Sequence, residues 1–215
     1  MKICYIKKKI KILILKKTIS VKYGTEERPF EIIVGGEREV GKTSYLERLF
    51  YNKFTDKKDW TESINYFGKK IITIKKTEIY FAIYDNCSWE FYYRHQLLGY
   101  KNLKFNGYLL FFSLCDQFSF DSLDDCIRIY SEFGGKIVSK FPTLLIGTNS
   151  DEEERKVKSE EAINYGKKHN FIGYFEISSK TGENVYESFE FLVNSICERN
   201  IEKFKIKLRG DWTLL

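Results

Sequence analysis

Short apolar runs recur along the chain near residues 30–34, 71–75, 79–84, 107–114, 143–147 and 172–177, and each reads as a strand. Helix-like segments alternate with them near 42–52, 89–100, 120–132, 158–169 and 184–199. This alternation predicts an α/β fold: a mixed six-stranded, mainly parallel sheet with about five helices distributed over both faces. The runs 71–75 and 79–84 stand too close for a helical crossover, so they form an antiparallel hairpin turning at Lys76–Thr77. Sheets of this kind bind ligands at the carboxyl ends of their strands, which directs attention to the loops there.

Composition changes this picture at one place, the beginning of the chain. Residues 1–22 contain eight lysines and no acid, whereas the whole chain has a formal charge of +6, so the remainder is near neutral and slightly acidic. A general nucleic-acid-binding surface is therefore not expected. The chain divides into a lysine-rich extension over 1–24, a main domain over 25–200 and a short tail over 201–215. At 215 residues with 43% hydrophobic content, it is long enough to bury one sizeable core. The five cysteines (Cys4, Cys87, Cys115, Cys126, Cys197) form no C-x-x-C pair. Cys115, Cys126 and Cys197 lie in apolar segments, which favours free buried thiols and a reduced, cytoplasmic setting. No apolar stretch approaches the roughly 20 residues of a membrane span.

The chemistry is clearest between the first strand and the first helix. Gly36-Glu37-Arg38-Glu39-Val40-Gly41-Lys42-Thr43 is a complete G-x-x-x-x-G-K-[ST] phosphate loop, preceded by the apolar Phe30, Ile32, Ile33 and Val34 and followed by a helix over Ser44–Asn52. Its glycines let the backbone bend around phosphate oxygens, and the N–H groups that open the helix point at them. Lys42 supplies a positive charge to the β- and γ-phosphates, and the Thr43 hydroxyl completes a Mg²⁺ shell. A glycine-rich turn without function is the alternative, made improbable by the flanking strand and helix.

Three later strand ends add to this. Asp85 closes the third strand, where a carboxylate is placed to hold Mg²⁺ through water, although a plain helix N-cap would use the same residue. Gly147-Thr148-Asn149-Ser150-Asp151 follows the fifth strand. The Asp151 carboxylate can accept two hydrogen bonds from guanine's ring N–H and amino group, a donor pair that adenine lacks. After the sixth strand, Glu176-Ile177-Ser178-Ser179-Lys180-Thr181-Gly182 offers a small-residue loop whose N–H groups reach a base oxygen. Each loop alone is also ordinary turn chemistry; their order after successive strands gives them weight together.

On these residues, from about 30 to 200, the chain resembles the Ras-like small GTPases of the Ras/Rab type, which makes 25–200 a Ras-like G domain. The stretch Gly107 to Leu114, with Cys115 to Phe120 after it, is similar to the family's fourth strand and following turn. Asp151 stands at the aspartate of the N-K-x-D motif, and Ser178-Ser179-Lys180 matches S-A-K with one change. The resemblance implies nucleotide contacts from Gly36, Glu39, Val40, Gly41, Lys42, Thr43, Ser44, Ser88, Thr148, Asn149, Asp151, Ser178, Ser179 and Lys180. It sets Phe54 against the base. It implies metal coordination by Thr43, Asp85 and Ser63 (or Thr61), with GTP or GDP and Mg²⁺ as the bound groups, and an electrostatic catalytic role for Lys42. Effectors and regulators would read two switch segments, about 55–68 and 86–100, in signalling or vesicle traffic. Only 25 residue steps separate Asp151 from Glu176, which leaves no room for the helical insert of Rho relatives.

The departures from the family pattern are informative. The second switch, D-x-x-G-Q in the family, reads Asp85-Asn86-Cys87-Ser88-Trp89 here. Ser88 keeps an N–H but loses the glycine's backbone freedom. Trp89 stands at the position of the glutamine that orients the attacking water, and its indole can donate but not accept. Arg38 and Glu39 occupy loop positions that are often small, and Arg38 would either obstruct an incoming arginine finger or itself contact phosphate. Thr148 replaces the motif's asparagine, and Asn149 replaces the lysine whose stem covers the base. These changes imply a GDP/GTP switch with slow or impaired hydrolysis, or alternatively a pseudo-GTPase scaffold that does not hydrolyse. An ATP-using kinase or ATPase is disfavoured because it gives Asp151 and Ser178–Lys180 no role. The C-terminal residues carry no C-a-a-X box, Cys197 lies too far inside for prenylation, and position 2 is Lys2 rather than glycine. The lipid anchor usual in Ras and Rab relatives is therefore not expected. Peripheral contact with an anionic membrane is left to the lysines of residues 1–22, with a lysine-guarded edge strand or a flexible extension as the alternatives.

Overall fold

Strands buried on both faces read as unbroken apolar runs, and the two strands at the centre of the molecule are of this type: Phe30–Gly36 (β1) and Gly107–Ser113 (β4). The computed structural model describes residues 24–56, 65–74, 77–85, 105–133 and 141–207. With Asn65–Ile74 (β2), Thr77–Asp85 (β3), Thr143–Thr148 (β5) and Gly173–Glu176 (β6), they build one six-stranded sheet in the order β2-β3-β1-β4-β5-β6. Only the β2–β3 pair is antiparallel. The expected mixed, mainly parallel sheet is therefore observed.

The helices among the described residues are Lys42–Tyr51 (α1), Gln117–Asp121 (α2), Leu123–Phe133 (α3), Ser159–Lys168 (α4) and Val185–Lys207 (α5). Period-two alternation along the central strands divides the core into two layers. Ile32, Val34, Leu109 and Phe111 pack with Tyr45, Leu46 and Leu49 of α1 and with Phe189, Leu192, Val193 and Ile196 of α5. Ile33, Tyr108, Leu110 and Phe112 turn to the other face, against Phe120 of α2, Leu123 and Cys126 of α3, and Ala162 of α4. The apolar stripe of α5 (Val185, Phe189, Leu192, Val193, Ile196, Cys197) recurs at three- and four-residue spacing, which explains its single buried face. Among the described residues no helix is long and apolar enough to cross a membrane.

Several boundaries differ from expectation. β2 begins at Asn65 rather than 71, so the proposed switch segment 55–68 overlaps a strand. Gly68, Lys69 and Lys70 mask the apolar pattern there, and the register slips between Tyr66 and Gly68. Thr77 belongs to β3, paired with Ile74, rather than to the hairpin turn. The helix expected over 120–132 is two helices, and the first starts at Gln117 because the Asp116 side chain accepts the Phe118 N–H. The helix expected over 89–100, the extension 1–22 and the last eight residues lie outside the described residues. Cys126 and Cys197 are free and buried; burial pushes their thiols up to about 12 and about 11, so both remain protonated. Cys115 is only half-buried, contrary to expectation, because it stands past the end of β4 beside the Asn149 carbonyl.

Candidate functional site

Four loops meet at the carboxyl ends of the parallel strands. The first leaves β1 at Gly36, whose φ of 138° lies outside the ordinary range of L side chains. A Cβ at Gly36 would stand 2.3 Å from the Phe111 carbonyl oxygen, so only glycine lets β1 lie this close to β4. Two further left-handed residues, Glu39 (φ 59°) and Gly41 (φ 85°), curl the loop, and Gly41 caps α1. Successive turns of this sort aim backbone N–H groups into one concavity, which with the helix N-terminus suits an anion.

Lys42 is 7% exposed, and its ammonium donates to the carbonyls of Gly36 (3.0 Å) and Glu37. One residue on, the Thr43 hydroxyl donates to Asp85 Oδ2 at 2.7 Å, joining the loop to the end of β3; Asp85 is 1% exposed. A hydroxyl and a carboxylate side by side are two hard oxygen donors, the set that Mg²⁺ takes together with phosphate oxygens and water. The residues present fit that ion.

The β5 loop is tied to the phosphate loop by Thr148, whose hydroxyl lies 2.7 Å from the Val40 carbonyl and 3.2 Å from that of Phe112. A hydroxyl has one proton to donate, and the shorter partner marks the main bond. Asn149 is left-handed (φ 61°), and its amide turns to the Ser113 hydroxyl (3.2 Å). Ser150 N–H donates to the Ile177 carbonyl, which joins the β5 and β6 loops. Asp151 is exposed at the tip rather than buried, so its carboxylate remains accessible to a ligand. In the β6 loop Ser178 is fully buried and its hydroxyl accepts the Thr181 N–H; Ser179 is nearly buried and Lys180 is exposed.

The structure thus brings Gly36, Glu39, Val40, Gly41, Lys42, Thr43 and Asp85 to one end of the sheet, with Thr148, Asn149, Asp151, Ser178, Ser179 and Lys180 beside them. Ser44 follows in the first turn of α1, and Phe54 is half-buried two residues past that helix's C-cap. Thr61, Ser63, Ser88 and Trp89 lie outside the described residues.

Sequence reasoning missed the residues that brace these loops. Arg155 donates through both terminal nitrogens to Glu176 (2.7 and 3.1 Å), and Ser159 and Tyr174 hydroxyls donate to the same carboxylate. Burial alone would push the Glu176 carboxyl up. The bonds from Arg155, Ser159 and Tyr174 outweigh it and hold the group below the usual carboxylate range. A depressed folded-state pKa contributes stability above the unfolded value of about 4.3, lost as pH falls below it. Glu176→Gln is therefore expected to lower the Tm at pH 7 and to narrow the gap from the parent below about pH 4, read by thermal melts across pH. A gap that stays constant with pH would contradict it. Arg48, six residues past Lys42, contacts the β6 loop and was equally missed.

Comparison with known proteins agrees with this geometry. The sequence profile of the Ras family matches residues 31–198. Human Ras-related protein Rab-3A is 31% identical over 176 residues, covering 80% of this chain and 76% of that protein. Bovine Ras-related protein Rab-3C is 29% identical, covering 82% and 75%, and Ras-related protein Rab-32D of Dictyostelium discoideum is 27% identical, covering 82% and 77%. Given the phosphate loop, the Thr43–Asp85 pair and these relatives, the chain belongs to the Ras family of small GTPases, switches that bind GTP and GDP with Mg²⁺.

Proposed function

We propose that this chain is a guanine-nucleotide switch with slow GTP hydrolysis, built on the residues gathered at the carboxyl ends of the sheet. The observation that carries the reading is the Thr43–Asp85 bond beside the buried Lys42, because it sets a Mg²⁺ pair next to a phosphate cradle. When bound, Mg²⁺ supplies charge neutralisation to the phosphates. Lys42 holds the β- and γ-phosphate oxygens and offsets charge that grows on them during transfer. Loop N–H groups orient the same oxygens, and Asp151 selects guanine through its ring N–H and amino group. Ser63 or Thr61 would close over the metal, with Ser88 N–H near the γ-phosphate and Phe54 against the base.

Slow turnover follows from Trp89, which cannot accept a hydrogen bond from the attacking water. Arg38 is exposed on the loop where a partner's arginine would enter, which adds to the same effect. Single-turnover hydrolysis is expected at or below the order of 10⁻⁴ s⁻¹ typical of unaided glutamine-bearing relatives. Trp89→Gln, alone or with Arg38→Gly, is expected to raise it several-fold. A parent rate well above that order would overturn the reading, whereas no turnover with retained GTP binding would favour a non-hydrolysing scaffold.

Effectors and regulators are the partners that family membership implies, and we assign their contacts to segments near 55–68 and 86–100. Resemblance to Rab relatives supports a role in vesicle traffic. A cytoplasmic protein with peripheral contact to anionic membrane fits the eight lysines of residues 1–22, each adding at most about 1 kcal/mol near the surface.

A further inference from the structure

We infer that Arg48 is a positioning residue for base recognition: its guanidinium sets the direction of the Lys180 N–H that the β6 loop presents to guanine. The inference rests on the proposed role of Ser178–Lys180 as the loop that reads the base oxygen.

The geometry is specific. Arg48 Nε donates to the Ser179 carbonyl and Nη2 to the Lys180 carbonyl, each at 2.7 Å, while Nη1 donates to the carbonyl and side-chain oxygen of Asn52, both at 3.1 Å. Asn52, the left-handed C-cap of α1, thereby fixes the outer edge of the guanidinium and leaves its inner fork for two consecutive carbonyls of the loop. The Arg48 stem runs beneath Gly182, where a Cβ would lie 3.7 Å from its Cδ. A helix C-cap alone would need only the bonds to Asn52.

Peptide planarity converts these bonds into a statement about donors. In a trans peptide the C=O of one residue and the N–H of the next point in opposite directions. With the Ser179 carbonyl turned to α1, the Lys180 N–H points away from it; with the Lys180 carbonyl turned likewise, so does the Thr181 N–H. The second is observed, since Thr181 N–H donates to the buried Ser178 hydroxyl at 3.0 Å. Among the described residues the N–H groups of Ser179 and Lys180 donate to no protein acceptor, so they are left for a ligand. Without the guanidinium, both carbonyls would be released to water, and the Ser179–Lys180 peptide plane, whose N–H has no other bond, would be free to turn.

The test compares GDP with 6-thioguanosine diphosphate, which keeps the ring N–H and amino group read by Asp151 and carries a weakly accepting sulfur in place of the base oxygen. Affinities are measured for the parent and for the variants Arg48→Ala, Arg48→Lys and Asp151→Asn, with thermal melts alongside. The parent should prefer GDP, and Arg48→Ala should reduce that preference about tenfold, the worth of roughly one hydrogen bond in a defined site. Lysine reaches only one carbonyl and should restore part of it. A purely structural role would weaken both ligands equally and leave the ratio unchanged, which would overturn the inference. Should the alanine variant fail to fold, the lysine variant carries the same readout: a ratio identical to the parent's overturns the inference. No preference for GDP in the parent, together with a normal response of Asp151→Asn, would instead remove the base-oxygen reading of the β6 loop.

Discussion

Lys42→Ala is expected to weaken binding of Mg²⁺–GDP by roughly 30-fold to several-thousand-fold, corresponding to about 2–5 kcal/mol for loss of one partner from a desolvated charged contact. The size of the effect follows from burial. At 7% exposure the ammonium is removed from water and donates to the carbonyls of Gly36 and Glu37, so its charge acts in a desolvated site. No other cation in the phosphate loop is buried, since Arg38 is exposed, so no neighbour replaces the charge. Thr43→Asn should act in the same direction by a different route. The longer amide displaces the hydroxyl that bonds Asp85 and so disturbs the metal pair. Isothermal titration with Mg²⁺–GDP checks both, and parent-like affinity in both variants would mean that this loop does not hold phosphate.

The second large effect concerns the base. Asp151→Asn should weaken GDP roughly 100-fold, because an amide offers one acceptor and turns a donor toward guanine's own donors. Xanthine carries a carbonyl where guanine carries its amino group, so the variant should bind xanthosine diphosphate better than the parent does. The parent should bind GTP far more tightly than ATP, since adenine leaves the aspartate without its donor pair. Asp151 is exposed at the loop tip, so the substitution leaves the core untouched and the change in affinity reports on the ligand contact. Competition binding with the four nucleotides measures it, and equal affinity of the parent for GTP and ATP would refute the assignment.

What could be read without coordinates was local in sequence. The phosphate loop occupies eight consecutive residues, so its glycines, lysine and threonine declare themselves, and the observed loop and helix follow. The doubly buried strands β1, β4 and β5 were legible for the same reason, as compact apolar runs. The first half of β2 was not, because a glycine, two lysines and a register slip break the alternation that marks a strand. The helix expected over 120–132 was merged from two because Asp116 caps the first through a bond to Phe118 that depends on loop geometry. Arg48 and Arg155 escaped for a stronger reason. Their carbonyl and carboxylate partners lie 131, 132 and 21 residues away, and only folding brings them together.

Two parts of the chain far apart in sequence mark the end of the sheet away from the nucleotide loops. Gly24 packs at the ring of Phe30, the first residue of β1, and its carbonyl accepts the Tyr80 N–H. Asp85 ends β3 five residues further on, about 17 Å away at the rise of a strand. At the other terminus α5 starts beside the β6 loop and runs back, so that Ile196 already lies against Gly107 at the start of β4. Gly24 and Ile196 thus both lie toward the pole opposite the nucleotide loops. A partner that grips this opposite pole would leave the nucleotide mouth uncovered, open to exchange while the protein stays held.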